Sequence, residues 1–540
     1  MASEVFVHPA LGTLVGISRG DDIVQFRGIP YAEVPARFRQ SILRPRLPKE
    51  PFDARQPGPS CPQTTTLPFP QYWTGPLPPD GVKLDRPKTD EFNCLNLNLT
   101  IPRAGIIGTQ KLPVLVYIHG GGFMVGSCSA QIAGREVWDA TDLVRRSLTT
   151  GKPIIVVSIN YRHGPLGFLA SNELTEFNRQ HGEAVGNYGL HDQRQALEWV
   201  SRFITGFGGD ADNVTIDGGS AGAVSCHFQT FFPHRKFKRA MLFSGTCLAL
   251  AAMRLEWHQK IFNTFAQRFP GAGSPVERLQ KVSPDVLTHD VVGVWYTPLI
   301  DGEWIAGRTL AELKSIEVPP EFLIGSCSFE QDLTLSILRP PPILSPTDAD
   351  KFMRTTIISI LSTLGLTTYP DTLLSQKVLE LYSIAESESS PTKQFAAWAQ
   401  FVAELVFRIP PYHVALNHTG SKTYVYEFQA TSPFPGWDLG FGKAGHAVNE
   451  LLQFNAGGDL VEQKHQAALS GAVQELQDVV VNFCQGQLRW EPFDTYNKER
   501  LGPVYTLTNY GRGRKYGSIG DVVGLDVLGR WKAILEVSER

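Results

Sequence analysis

From Asn213 to Ala223 the chain reads Asn-Val-Thr-Ile-Asp-Gly-Gly-Ser-Ala-Gly-Ala, and this segment restricts the fold more than any other. The β-branched run Val214-Thr-Ile216 predicts a strand. Gly218, Gly219, Ala221 and Gly222 then surround Ser220, because a turn this sharp after a strand leaves no room for bulky side chains. The small residues after Ser220 can open a helix, which would aim its first amides and dipole at charge developing near the serine. A Gly-x-Ser-x-Gly of this kind between a strand and a helix exposes Ser220 Oγ at the edge of a sheet and marks it as a candidate nucleophile.

The rest of the chain supplies such a sheet. Strand candidates are Pro113–His119, Pro153–Asn160, Val214–Asp217, Ala240–Ser244, Phe322–Gly325 and Thr423–Phe428, several of them apolar on both faces. They alternate with helix-like stretches at His191–Ile204 and Ala467–Cys484, which predicts an α/β architecture. Residues 348 to about 400 read as a helical insertion, with Ile357–Leu361 in its first helix. Proline-rich punctuation at Pro45–Pro79 and Leu338–Pro346 lacks the character of a linker, and no repeat is visible. One elaborated domain spanning residues 1–540 is expected.

Composition excludes several classes. Hydrophobic residues make up 42% and charged residues 19%, enough for a large core. With 50 Lys and Arg against 53 Asp and Glu, the chain has no basic excess to hold a phosphate backbone, so no nucleic-acid partner is expected. Seven cysteines are too few for a disulfide scaffold, and no Cys/His spacing suits a metal. Neither a metal nor an organic cofactor is expected. Apolar runs such as Cys247–Met253 fall far short of the ~20 residues of a membrane helix, so no transmembrane segment is expected. The N-terminus enters strand-like sequence without a basic, then apolar, leader, which predicts an intracellular location, or a secreted one if a leader has been trimmed away.

A second segment complements the first. Pro113-Val-Leu-Val-Tyr-Ile-His119 is a buried-strand pattern that ends in Gly120-Gly121-Gly122. Bare backbone N–H groups approach a tetrahedral oxyanion most easily where no Cβ intrudes.

These segments, together with Gly12–Gly16, Phe26–Ala32, Cys61, Glu91–Asn98, Asn160–Phe168, Gly186–Gln193 and Phe207–Asp210, resemble the type-B carboxylesterase/lipase family, the cholinesterase-like branch of the α/β-hydrolases. The resemblance covers nearly the whole chain. It implies an α/β-hydrolase fold: a large, mostly parallel central sheet flanked by helices, with a helical insertion at about 340–420 covering an active-site gorge. It implies a triad in the order Ser, acid, His. Eight histidines follow Ser220, and the resemblance selects His446, in Gly445-His446-Ala-Val-Asn-Glu-Leu-Leu-Gln-Phe454. The acid it selects is Glu330; Gln331, where the family has a glycine, leaves Asp332 as a neighbouring rival, and Asp301 also ends an apolar run, in a motif the family treats as structural. It places the oxyanion at the N–H groups of Gly121, Gly122 and Ala221. It pairs Cys61 with Cys94 in a disulfide closing a lid-like loop, 61–94, that carries Phe69, Tyr72 and Trp73.

The activity implied is hydrolysis of a moderately large, largely apolar ester through an acyl-enzyme, with a small-molecule ester as partner and a homodimer compatible with the sequence. An acyltransferase or a lactone-forming or lactone-opening enzyme would use the same triad. An adhesion protein on this fold would normally lack the serine. Cholinesterases carry one acidic residue immediately before the nucleophile and another three residues after the histidine. Here those positions are Gly219 and Asn449, and Glu450 is expected to point elsewhere, so neutral esters are the expected substrates.

Overall fold

The computed structural model describes residues 2–64, 88–132, 134–289, 296–308, 310, 312–313, 318–337, 351, 355, 378–383, 391–434, 441–493, 502–508 and 515–538. Twelve strands in chain order carry the architecture: β1 (Ser3–His8), β2 (Gly12–Ser18), β3 (Ile23–Pro30), β4 (Asn96–Pro102), β5 (Leu112–Ile118), β6 (Ile155–Ile159), β7 (Gly209–Gly219), β8 (Arg239–Phe243), β9 (Glu321–Cys327), β10 (Thr423–Phe428), β11 (Val504–Leu507) and β12 (Lys515–Gly517). Among the described residues they join one sheet in the order β1-β2-β3-β4-β6-β5-β7-β8-β9-β10-β11-β12, with the short strand Phe52–Asp53 beside β2.

The run from β6 through β11 is parallel, and antiparallel pairs flank it on both sides. Every residue of β5, β6 and β10 is buried, the pattern of strands covered on both faces. The covering helices include α1 (Tyr188–Phe203), α2 (Ala221–Gln229), α3 (Gln331–Ile337), α4 (Pro391–Ala403), α5 (Ile409–Asn417), α6 (Val448–Gln453), α7 (Gln466–Cys484) and α8 (Leu525–Ser538). Two hydrophobic clusters result, one on each face. Leu14, Val116, Ile216 and Ile324 point into the first, while Leu115, Tyr117, Met241 and Leu323 point into the second.

All six strand candidates are present, and β7 starts five residues before Val214, at Gly209. The N-terminal antiparallel strands are not among those candidates, since their alternating burial gives a weaker signal than the fully apolar centre. Residues 65–87 of the lid-like loop, with Phe69, Tyr72 and Trp73, and most of the 348–400 stretch, including Ile357–Leu361, lie outside the described residues. No helix among the described residues is long and apolar enough to cross a membrane.

Candidate active site

The candidate residues all sit past the carboxyl ends of parallel strands, where α/β sheets place their reactive groups. Ser220 follows β7 directly and caps α2 with φ +54° and ψ −127°, a sparsely populated conformation for a residue with a Cβ. Its N–H donates to Phe243 O at 2.8 Å, tying the turn to β8. The glycines are sterically required. A Cβ on Gly222 would stand 2.0 Å from Ile118 O, so the strand could not turn into α2 beside β5 with any other residue there.

The glycine loop after β5 reaches the same point, because Ile118 pairs with Gly218 in the neighbouring strand. A Cβ on Gly120 would lie 3.1 Å from Ser220 Cβ. Gly121 and Gly122 have φ of +114° and +62°, and the N–H groups of Met124 and Val125 donate to Gly121 O at 3.0 and 3.1 Å to close the turn. Ala221 N–H belongs to the first turn of α2, where helix donors have no internal acceptor.

Glu330 lies just past β9, and His446 lies in the loop between β10 and α6. Although 116 residues separate them, Nδ1 of His446 and Oε2 of Glu330 are 2.5 Å apart. The other Glu330 oxygen accepts from Cys327 N–H at 2.8 Å, and both side chains are buried. Asp332 holds the backbone rather than the ring. Its two oxygens accept the N–H of His446, each at 3.1 Å. Asp301 is remote from both. It accepts from Asn187 Nδ2 and from the N–H groups of Glu303, Trp304 and Ile305, the pattern of a residue that organises its own turn. Among the described residues His446 Nε2 is buried and has no hydrogen-bond partner, so it can take a proton from a neighbouring group. Burial works to lower the imidazole's pKa, but the carboxylates of Glu330, Asp332 and Glu450 outweigh it and hold the pKa above the ordinary value. Among the other histidines, His227 accepts from Cys247 N–H, and His418 stacks on Phe322 with Nδ1 2.6 Å from Thr423 Oγ1.

Two further carboxyls lie beneath the serine. Contrary to the sequence expectation, Glu450 does not point elsewhere. Its carboxyl accepts from Tyr117 O–H at 2.6 Å and from the backbone N–H of Gly219. A Cβ on Gly219 would come within 2.0 Å of Glu450 Cδ, so this carboxyl fills the space a side chain there would need. The acid stands four residues after His446 rather than three, as the third residue of α6, and there it lies against the strand that precedes the serine. Gln453, one turn along at i+3, donates to Asp217 on that same strand. Desolvation pushes Asp217 up to about 8 and Glu450 up to about 7. Phe407 also joins the site, with its ring centroid 4.6 Å from that of His446. A lone phenylalanine in an apolar helical run carries no sequence signal of such a contact.

The expected Cys61–Cys94 bond is not made in this structure. All seven cysteines are buried free thiols, with Cys61 and Cys94 in hydrogen-bonding contact and Cys94 Sγ 3.7 Å from Glu91 O.

A serine on a sharp turn at the carboxyl end of a central parallel strand, a glycine loop beside it and a buried carboxylate–imidazole pair past two further strands of the same sheet are the parts of an α/β-hydrolase. A PNB esterase structure shares this fold, with a TM-score of 0.72 over 94% of this chain and 96% of that one, at 23% identity. The sequence profile of the carboxylesterase family matches residues 3–485, and the chain belongs to that family of carboxylic-ester hydrolases. It is similar to the esterase cest-33 of Caenorhabditis elegans, 30% identical over 460 residues that cover 78% of this chain and 74% of that protein. It is also similar to the human bile salt-activated lipase, 27% identical over 79% of this chain and 54% of that protein. Lipase 3 of Yarrowia lipolytica is 35% identical over 44% of this chain, which spans only 45% of that lipase's length.

Proposed function

We propose that the chain is a serine carboxylesterase that hydrolyses a moderately large, largely apolar, neutral ester through an acyl-enzyme on Ser220. The observation that carries this reading is the 2.5 Å contact of Glu330 with His446 Nδ1, which leaves Nε2 as the basic, unpartnered nitrogen. Ser220 Oγ attacks the ester carbonyl carbon as its proton passes to His446 Nε2. The resulting oxyanion accepts from the N–H groups of Gly121, Gly122 and Ala221, each worth ~2.7–4 kcal/mol in the transition state. The C–O bond to the alcohol then breaks, and the imidazolium returns its proton to the departing oxygen. Water, deprotonated by the same nitrogen, attacks the acyl carbon; the bond to Ser220 Oγ then breaks, the imidazolium returns its proton to that oxygen and the carboxylic acid leaves. Glu330 fixes the imidazole tautomer and stabilises the imidazolium without itself taking the proton.

Two features favour a neutral substrate. Gly219 and Asn449 carry no charge, and desolvation lifts the nearest substitute carboxyl, Glu450, to about 7, so it is ionised only in part near neutrality. The test is treatment with an alkyl p-nitrophenyl phosphonate followed by peptide mass mapping. One phosphonyl adduct on Ser220, with loss of esterase activity, is expected. A stoichiometric adduct on any other residue overturns the assignment.

A further inference from the structure

Between α4 and α5 the chain leaves the α-helical path for one π-helical turn, Glu404–Arg408. Such a turn strains the helix ladder and persists where surrounding contacts hold it, often at functional sites. Here it presents Phe407 to the imidazole of His446, with the ring planes 50° apart. Phe407 is only half-buried, whereas Phe401, one turn and a half earlier, is fully buried in the core. Phe407 is thus a partly exposed ring in contact with the imidazole that the ester must approach.

Both ends of the π-turn are gripped from the far end of the chain. Glu404 is buried and accepts from Arg530 Nη2 at 2.7 Å, Arg530 Nε at 3.2 Å and Trp531 Nε1 at 2.8 Å, all on α8. Tyr382 O–H and Gln400 Nε2 complete its partners at 2.6 and 2.9 Å. At the other end, Arg408 donates to Glu427 Oε1 at 2.7 Å, and its guanidinium lies 5.2 Å from the centre of the Trp531 ring. Trp531 therefore touches the two residues that bracket Phe407. Helix α8 lies beyond residue 485, the last residue matched by the carboxylesterase-family profile.

We propose that Phe407 is a specificity-determining wall of the ester pocket and that α8, through Arg530 and Trp531, acts as the positioning element that sets it. The proposal rests on the reading of His446 as the catalytic base. Loss of the α8 grip lets the π-turn relax toward the regular helix. That relaxation rotates Phe407 away from the imidazole and opens space for a longer acyl chain.

The full-length enzyme is assayed with p-nitrophenyl acetate and p-nitrophenyl decanoate, and the readout is the ratio of the two kcat/KM values. A variant that merely contains less folded protein loses both activities alike and leaves this ratio unmoved. Phe407→Ala should raise the decanoate-to-acetate ratio about tenfold, the scale of discrimination set by apolar pocket contacts. Trp531→Ala should move it in the same direction, and adding Trp531→Ala to Phe407→Ala should move it no further. Where Trp531→Ala gives no folded protein, two other variants replace it. Trp531→Phe keeps a ring over Arg408 but removes the N–H given to Glu404, and Arg530→Met removes the ion pair. Wild-type ratios in the α8 variants, or additive effects in the double variant, overturn the proposal. Phosphonate labelling of the same preparations separates the two readings. An enzyme labelled on Ser220 with unmoved ratios refutes only the α8 role, whereas an unlabelled, inactive wild type refutes the triad as well.

Discussion

The serine side and the histidine side of this site are built in opposite ways. Ser220 is held by backbone sterics: its positive φ and the small residues around it lie in one short strand–turn–helix, which Ile118 O of β5 crowds at Gly222 and Phe243 O of β8 anchors by accepting the Ser220 N–H. His446 is held by partners remote in the chain. Glu330 takes its ring, Asp332 takes its N–H, and Glu450 on the following helix reaches back to Gly219 and to Tyr117, 333 residues away. Steric exclusion fixes the first arm and buried carboxyls fix the second. The serine side should therefore respond to added volume, and the histidine side to changes of charge and hydrogen-bonding capacity.

The largest effect expected is that of Ser220→Ala, which should lower kcat for p-nitrophenyl butyrate by about 10^5–10^6 while thermal unfolding stays cooperative. Near-wild-type turnover would remove the serine side from the comparison. Next comes the contrast between the two acids that hold His446. Glu330→Gln should cost about 10^4 in kcat with KM little changed, because the amide favours the wrong imidazole tautomer. Asp332→Asn keeps an acceptor for the His446 N–H and should be far milder, and a reversed ranking would exchange their roles.

The junction of the two arms can be broken with a single methyl. Gly219→Ala must expel the Glu450 carboxyl from its place and shift His446 with it, for an expected loss of about 10–100-fold in kcat/KM. Combined with Glu450→Gly, which clears the space, the same methyl should do much less harm. A double variant as damaged as the sum of the two single ones would show that the carboxyl and the strand are not coupled.

The smallest effect concerns charge. At pH 6, kcat/KM for butyrylcholine should not exceed that for 3,3-dimethylbutyl butyrate, since Glu450, lifted by desolvation to about 7, is then mostly protonated and neutral. As pH rises through 7 the carboxyl ionises, so relative preference for the cation should grow, and less so at high salt. The slope should vanish in Glu450→Gln. A preference for the cation of about tenfold at pH 6 would contradict the neutral-ester reading.

Short-range steric requirements make much of this protein legible in its sequence. An apolar, β-branched strand run ending in small residues can do little except turn sharply, so β5, the second half of β7 and the loops that follow them are readable from contiguous residues. The choice of Glu330 and His446 comes through family resemblance, because nothing local distinguishes one of eight following histidines. Only the tertiary structure separates Glu330, just before α3, from Asp332, in the first turn of that helix. Which carboxyl meets a ring nitrogen and which meets an amide depends on how β9 and β10 pair. It likewise places Glu450 under Gly219 and Phe407 beside His446. Such contacts are set by helix docking across hundreds of residues, and their energy lies in desolvated charge and ring packing that no local pattern of residues encodes.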